Sequence, residues 1–155
     1  MIEQPIIARF AALLGPKGVV TDPDDIAPWT SDWRGRYHGK AAALLSPAST
    51  QEVAGAVKLC AEHGIAIVPQ GGNSGMVAGA TPDRSGQAML LSLRRMDTID
   101  CARIDEGLAV CEAGAILQNL HDALGDAVCM RRFLVGMHEE FVGDGRRFHA
   151  VGGEV

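Results

Sequence analysis

The residues best placed to do chemistry in this chain are gathered in one segment, IAIVPQGGNSGMVAGATP, from Ile65 to Pro82. An apolar run leads into Pro69 and Gln70, and Gly71, Gly72, Gly75 and Gly79 then follow in close succession. Glycine carries no Cβ, so its main chain can take positive φ or come within hydrogen-bond distance of a ligand, with successive N–H groups turned into one concavity. An anion suits such a nest. Asn73 and Ser74 add side-chain donors to the same turn, which favours a diphosphate over a carboxylate. On the residues alone, a glycine-rich connection without a ligand competes with this reading. Two common phosphate motifs are excluded. No Gly-Lys-Ser/Thr is present to hold a magnesium nucleotide. Nor do Gly71, Gly72 and Gly75 satisfy G-x-G-x-x-G, and no amphipathic helix follows them directly.

Elsewhere the reactive residue types are scattered. His38, His63, His121, His138 and His149 have no local partner that would mark a general base, so no catalytic residue is identifiable. His63 reads as a cation favoured by the C-terminal end of a helix. Cys60, Cys101, Cys111 and Cys129 show no C-x-x-C spacing. They read as reduced core thiols, with Cys60 and Cys111 on apolar faces, and no metal is expected. Arg34, Arg36 and His38 lie in an aperiodic stretch, Thr30 to Lys40, which reads as a solvated loop with Trp29, Trp33 and Tyr37 packed beneath it. Arg94 and Arg95 read as a surface charge pair at a strand end.

The elements that must position the glycine segment are legible around it. Ile6, Ile7, Phe10, Leu13 and Leu14 make one helical stripe that Gly15-Pro16 stops. Asp22 is placed as an N-cap with Pro23 at the first helical position, for a short helix ending near Pro28. Ala42 to Leu45 is a brief strand. Ser49 and Glu52 form a capping box, and Val53, Ala56, Val57, Cys60 and Ala61 repeat at helical spacing, which predicts a helix from Thr50 to His63 with Gly64 as its left-handed exit. Ile65 to Val68 is the next strand, buried and paired in parallel with the first through a right-handed βαβ crossover. Strands are expected over Ala88–Leu93, Thr98–Ile104 and Leu108–Glu112, the last two as a hairpin turning at Asp105-Glu106-Gly107. A final helix runs from Ala113, with Gly114 near its N-cap, to Gly125.

Composition bounds the classes of function. The 155 residues are 47% hydrophobic and 21% charged, a globular profile for one core, and the net charge of −5 offers no broad cationic face for nucleic acid. Aromatic residues are only 5%, which leaves few platforms for stacking bases. No apolar run approaches the length of about 18 residues that a transmembrane helix needs. The start, MIEQPIIARFAALLG, has Glu3 ahead of its apolar stretch and no basic lead, so a cytoplasmic location is expected.

PQGGNSGMVAGATP, preceded by P-A-S-T-x-E-V from Pro47 to Val53 and followed by VCEAGAILQNL from Val110 to Leu120, resembles the FAD-binding (PCMH-type) domain of vanillyl-alcohol-oxidase type flavoenzymes. Asn73 and Gly75-Met76-Val77 are most similar to the D-2-hydroxyglutarate and D-lactate dehydrogenase branch, and TSDW at Thr30 to Trp33 fits that family's approach to its first strand. The resemblance implies an α+β fold, a PCMH-type subdomain built on a βαβ unit with further strands and flanking helices. It also implies FAD as cofactor and, in the whole family, a small D-2-hydroxy acid as substrate. By the same resemblance Pro69, Gln70, Gly71, Gly72, Asn73, Ser74, Gly75 and Met76 line the diphosphate loop, with Thr81, Pro82, Ala113 and Gly114 nearby. No histidine stands where some relatives attach flavin in this loop, so noncovalent FAD is expected. The resemblance divides the chain into a helical lead-in (1–40), the subdomain (41–125) and a tail (126–155) that does not match the family pattern. Relatives continue into a second glycine-rich run and a substrate domain that have no counterpart here. A truncated remnant without turnover, a small anion-binding module, or a partner chain supplying the other half are therefore the competing expectations.

Overall fold

The computed structural model describes residues 2–103 and 108–124. They fall into two compact units that divide between Asp97 and Thr98. The tail expected from 126 onward and the turn at Asp105-Glu106-Gly107 lie outside the described residues.

The first unit runs α1 (Gln4–Leu14), β1 (Val19–Val20), α2 (Pro23–Ile26), a 3-10 turn (Ala27–Trp29), β2 (Ala43–Leu45), α3 (Thr50–Glu62), β3 (Ile67–Gln70) and β4 (Met89–Ser92). The four strands form one sheet in the order β1-β2-β4-β3, with β1 antiparallel to β2, and β2 and β3 both parallel to β4. The βαβ expectation needs a correction here. β2 and β3 do not pair with each other, because β4 lies between them. All four residues of β4 are buried, and the centre is where a strand apolar on both faces belongs. β3 begins two residues later than expected, takes in Pro69, and is only partly buried, where the sequence suggested a buried strand, because it lies at the sheet edge. As an edge strand it tolerates a residue with no N–H to donate.

Local signals placed the helices well. The Asp22 side chain accepts from the Asp24 N–H at 2.9 Å, and Ser49 Oγ accepts from the Glu52 N–H at 3.2 Å. Glu52 reaches back to the Ala48 N–H at 2.7 Å, and Gly64 leaves α3 at φ 62°. Phe10 and Leu14 of α1 and Ala56, Leu59 and Cys60 of α3 pack on Ala43, Leu45, Met89 and Leu91 of the sheet. α1 lies close against α3 because Gly55 leaves room, for a Cβ there would stand 2.9 Å from Leu13 Cδ1. On the opposite sheet face Ile26 and Trp29 cover Leu44, Leu90 and Val68. His63 follows the last residue of α3, and its Nε2 lies 2.8 Å from Arg9 Nη1.

The second unit contains β5 (Ile99–Asp100), β6 (Val110–Cys111) and α4 (Leu117–Leu124). β5 and β6 pair antiparallel as the expected hairpin, shorter than its apolar pattern suggested. α4 starts four residues after Ala113, because Glu112 to Ala115 form a turn closed by Ala115 N–H to Glu112 O at 3.0 Å. Cys111 is exposed rather than core, whereas Cys60 is buried and its thiol is pushed up to about 11 by desolvation. Cys129 lies outside the described residues.

Candidate functional site

β3 delivers the glycine segment to the carboxyl end of the parallel strands, where open α/β sheets bind ligands. Gly71 to Gly79 form an exposed tip, with Met76 61% and Val77 89% exposed. Among the described residues, none of the main-chain N–H groups from Gly71 to Ala80 donates to a protein acceptor; the first to do so is Thr81, to Ala78 O at 3.0 Å. Ten successive residues thus keep their main-chain donors unspent, and an anion nest is built from such donors.

The glycines serve a different purpose from the one their flexibility suggested. Positive φ falls on Asn73 (51°) and Ala78 (57°), not on Gly71, Gly72, Gly75 or Gly79. A Cβ added at any of these four glycines would meet nothing within 4 Å. Among the described residues, neither backbone strain nor packing calls for glycine there. The open space fits a bulky anionic group lying against bare main chain.

Side chains hold the loop at its entry. Gln70 is buried, and its Nε2 donates to Trp29 O and to Ala80 O, both at 3.0 Å, which ties the two ends of the tip together. Asn73 Nδ2 donates to Ser31 O at 2.8 Å. Its amide is therefore spent as a tether, and Ser74 is the exposed side-chain donor left on the turn. Pro82 is buried, and Thr81 Oγ1 is buried without a partner. Ala113 and Gly114 lie in the turn ahead of α4, in the second unit.

Two features escaped the sequence reading. The stretch from Thr30 to Lys40 is an ordered loop built on Asp32. The Asp32 carboxylate accepts from the Tyr37 N–H at 2.6 Å, the Arg36 N–H at 2.7 Å and the Arg34 N–H at 3.3 Å. The Tyr37 bond above all holds this carboxyl below the usual range; burial opposes the shift, while the Arg36 and Arg34 bonds and the charge of His38 reinforce it. The available signal was S-D-W-R-G, an aspartate followed by a glycine that turns at φ 64°. Trp33 (56%) and Tyr37 (62%) stand exposed on this loop instead of packing under it. Arg34 stacks 5.2 Å from the Trp33 ring and donates to Met76 Sδ at 3.2 Å.

The second feature is a polar row on the sheet. Gln70 is level with Ser92, and Ser46 follows Leu45, the partner of Leu91. Alternation puts all three on the face of Leu44, Leu90 and Val68. Ser46 Oγ, Ser92 Oγ and Gln70 Oε1 are each buried with no partner among the described residues. Arg95 and Arg94 border this row and are not a loose surface pair: Arg95 Nη1 donates to Ser46 O at 2.6 Å, and Arg94 lies 4.4 Å over the Trp29 ring.

Residues 41–141 match the model of a family described as FAD binding domain. The chain belongs to this family. Its cofactor is FAD, and the loop just described lies within the matched range. Among curated relatives, the mitochondrial D-2-hydroxyglutarate dehydrogenase of Bos taurus is 39% identical over 105 residues, 68% of this chain and 19% of the relative. That of Arabidopsis thaliana is 36% identical over 119 residues, 77% of this chain and 21% of the relative. The chain thus spans about a fifth of the length of these relatives. Among solved structures, alkyldihydroxyacetonephosphate synthase superposes with a TM-score of 0.68 at 21% identity, over 80% of this chain and 25% of that one. p-Cresol methylhydroxylase with substrate bound superposes at 0.65 and 26% identity, over 79% and 25%. The fold is the PCMH-type α+β arrangement of these proteins. Among the described residues no helix is long and apolar enough to cross a membrane, and no group of three or more His, Cys, Asp or Glu could hold a metal.

Proposed function

We propose that this FAD binding domain is the diphosphate-holding segment of a flavin-dependent oxidoreductase acting on D-2-hydroxy acids. The observation that carries the reading is the exposed tip after β3, with its unspent amides and its four glycines facing open space. The amides of Gly71, Gly72, Asn73, Ser74, Gly75 and Met76, with the Ser74 hydroxyl, would hold the two phosphoryl groups. Pro69 sets the exit from β3, Gln70 and Asn73 keep the tip in place, and Thr81 and Pro82 flank it. Bound flavin supplies the ring that accepts a hydride from the hydroxy acid. The chain's own contribution is binding and orientation, since a loop of fixed dipoles holds a diphosphate without reorganising. No histidine, cysteine or tyrosine lies between Gly71 and Gly79, which supports noncovalent attachment. The substrate class rests on the names of the relatives at 39% and 36% identity.

A diphosphate-binding module without turnover is the second reading. It is favoured by two of the described histidines, because His38 bonds to Gly35 O and His63 to Arg9. Purification with added FAD tests both. A yellow protein holding flavin near equimolar is expected, and a protein that stays colourless overturns the first assignment. Bleaching of that flavin by D-2-hydroxyglutarate, with an electron-accepting dye turning over, separates oxidoreductase from module.

A further inference from the structure

We infer that Asp32 is the positioning residue of the FAD loop: its carboxylate shapes the neighbouring turn so that the carbonyl of Ser31, at the base of that turn, holds the loop in place for the diphosphate. The inference rests on the proposed reading of the loop. Asp32 is 7% exposed and accepts three main-chain N–H groups through its side chain. Its own N–H donates to Tyr37 O at 3.0 Å, and its carbonyl accepts from the Gly35 N–H at 2.9 Å. One side chain thus closes the whole turn from Asp32 to Tyr37. The Gly39 N–H, bonded to Thr30 O at 2.8 Å, and the Ser31–His38 bridge fasten the base of that turn.

The Ser31 carbonyl is fixed by that turn and the Trp29 carbonyl by the 3-10 turn before it, and the loop uses both. Trp29 O receives Gln70 Nε2, and Ser31 O receives Asn73 Nδ2. These two side chains bracket Gly71 and Gly72. Asn73 is held at φ 51°, in the left-handed region that asparagine tolerates better than most non-glycine residues. The same turn aims the Arg34 guanidinium at Met76 on the tip, adding positive charge beside the expected anion. Asp32 itself cannot be a ligand for a diphosphate, since both are negative. Its effect on the loop travels through the Ser31 carbonyl.

The test is a double-mutant cycle on the full chain, reading FAD dissociation constants by flavin fluorescence, with the Asn73 carbon chemical shifts of the FAD-free protein as a second readout. Asp32→Ala and Asn73→Ala should each weaken FAD about tenfold or more, the scale of loss when binding groups are slightly misplaced. The double variant should be little worse than the poorer single one, because both cut the same tether. Asp32→Asn keeps an oxygen for Arg36 and Tyr37 and should recover most of the affinity. Asn73 shifts should leave their left-handed values in Asp32→Ala and keep them in Asp32→Asn. Multiplying effects in the double variant, or unchanged Asn73 shifts in Asp32→Ala, would overturn the inference. Should Asp32→Ala not fold, Asp32→Asn with full affinity beside a weakened Asn73→Ala supports it, and Asn73→Ala with unchanged affinity refutes it. If the unaltered chain takes up no FAD, the loop reading fails alone, and the Asn73 shifts still decide the role of Asp32.

Discussion

Replacing Gly72 by alanine should separate folding from cofactor binding. Gly72 has no positive φ, and a Cβ there meets nothing within 4 Å, so the folded chain has both the backbone geometry and the space for a methyl group. Alanine also restricts the unfolded chain, which stabilises such a position by about 0.4–1 kcal/mol. The FAD-free variant should therefore be at least as stable as the parent in urea. FAD is another matter, because the methyl group occupies the space where a phosphoryl oxygen would approach the amide. Losing one hydrogen bond to a charged group costs roughly 1.5–3 kcal/mol. That corresponds to an affinity about ten- to a hundredfold weaker. Urea unfolding of the FAD-free protein and a fluorescence titration with FAD measure the two quantities on one preparation. A variant that binds FAD as tightly as the parent refutes the placement of the diphosphate. One that unfolds more easily refutes the claim that the glycine faces open space.

Gly39→Ala should behave in the opposite way, because a Cβ there would collide with the Pro82 carbonyl. Main chain cannot yield cheaply, so the melting temperature should fall by several degrees, and an unchanged melting curve would contradict the close approach of the two loops. Acid should loosen the Asp32 turn. A carboxyl whose folded value is depressed contributes stability above its unfolded value, and that contribution is lost as pH falls through the folded one. Trp fluorescence followed below about pH 4 should show this loss, and Asp32→Asn should flatten it; identical profiles would exclude Asp32 as the source. Ser92→Ala removes a buried hydroxyl without a partner. Stability should hold or rise, and a loss above about 1 kcal/mol would show that Ser92 Oγ has a partner after all.

Much of this architecture was written locally. Asp22 and Ser49 cap helices because a short side chain can reach an N–H two or three residues along, a relation visible in sequence. Gly64 ends α3 for a similarly local reason. That an exposed glycine-rich tip follows the apolar strand was legible too, because Gly71, Gly72, Gly75 and Gly79 stand close together in the sequence. Their use was misjudged in part, since the positive φ angles went to Asn73 and Ala78.

What the chain alone determined is which segments become helices, roughly where the strands run, and that one bare loop follows Gln70. Those properties depend on neighbours within a few residues. Only the tertiary structure decided that β4 comes between β2 and β3, that Asn73 spends its amide on Ser31, and that Asp32 organises a loop with no periodic pattern. Strand order depends on which strand loses most by facing water, and the Asn73 tether joins residues 42 positions apart. No local pattern encodes such distances, because the groups become neighbours only after the sheet has formed.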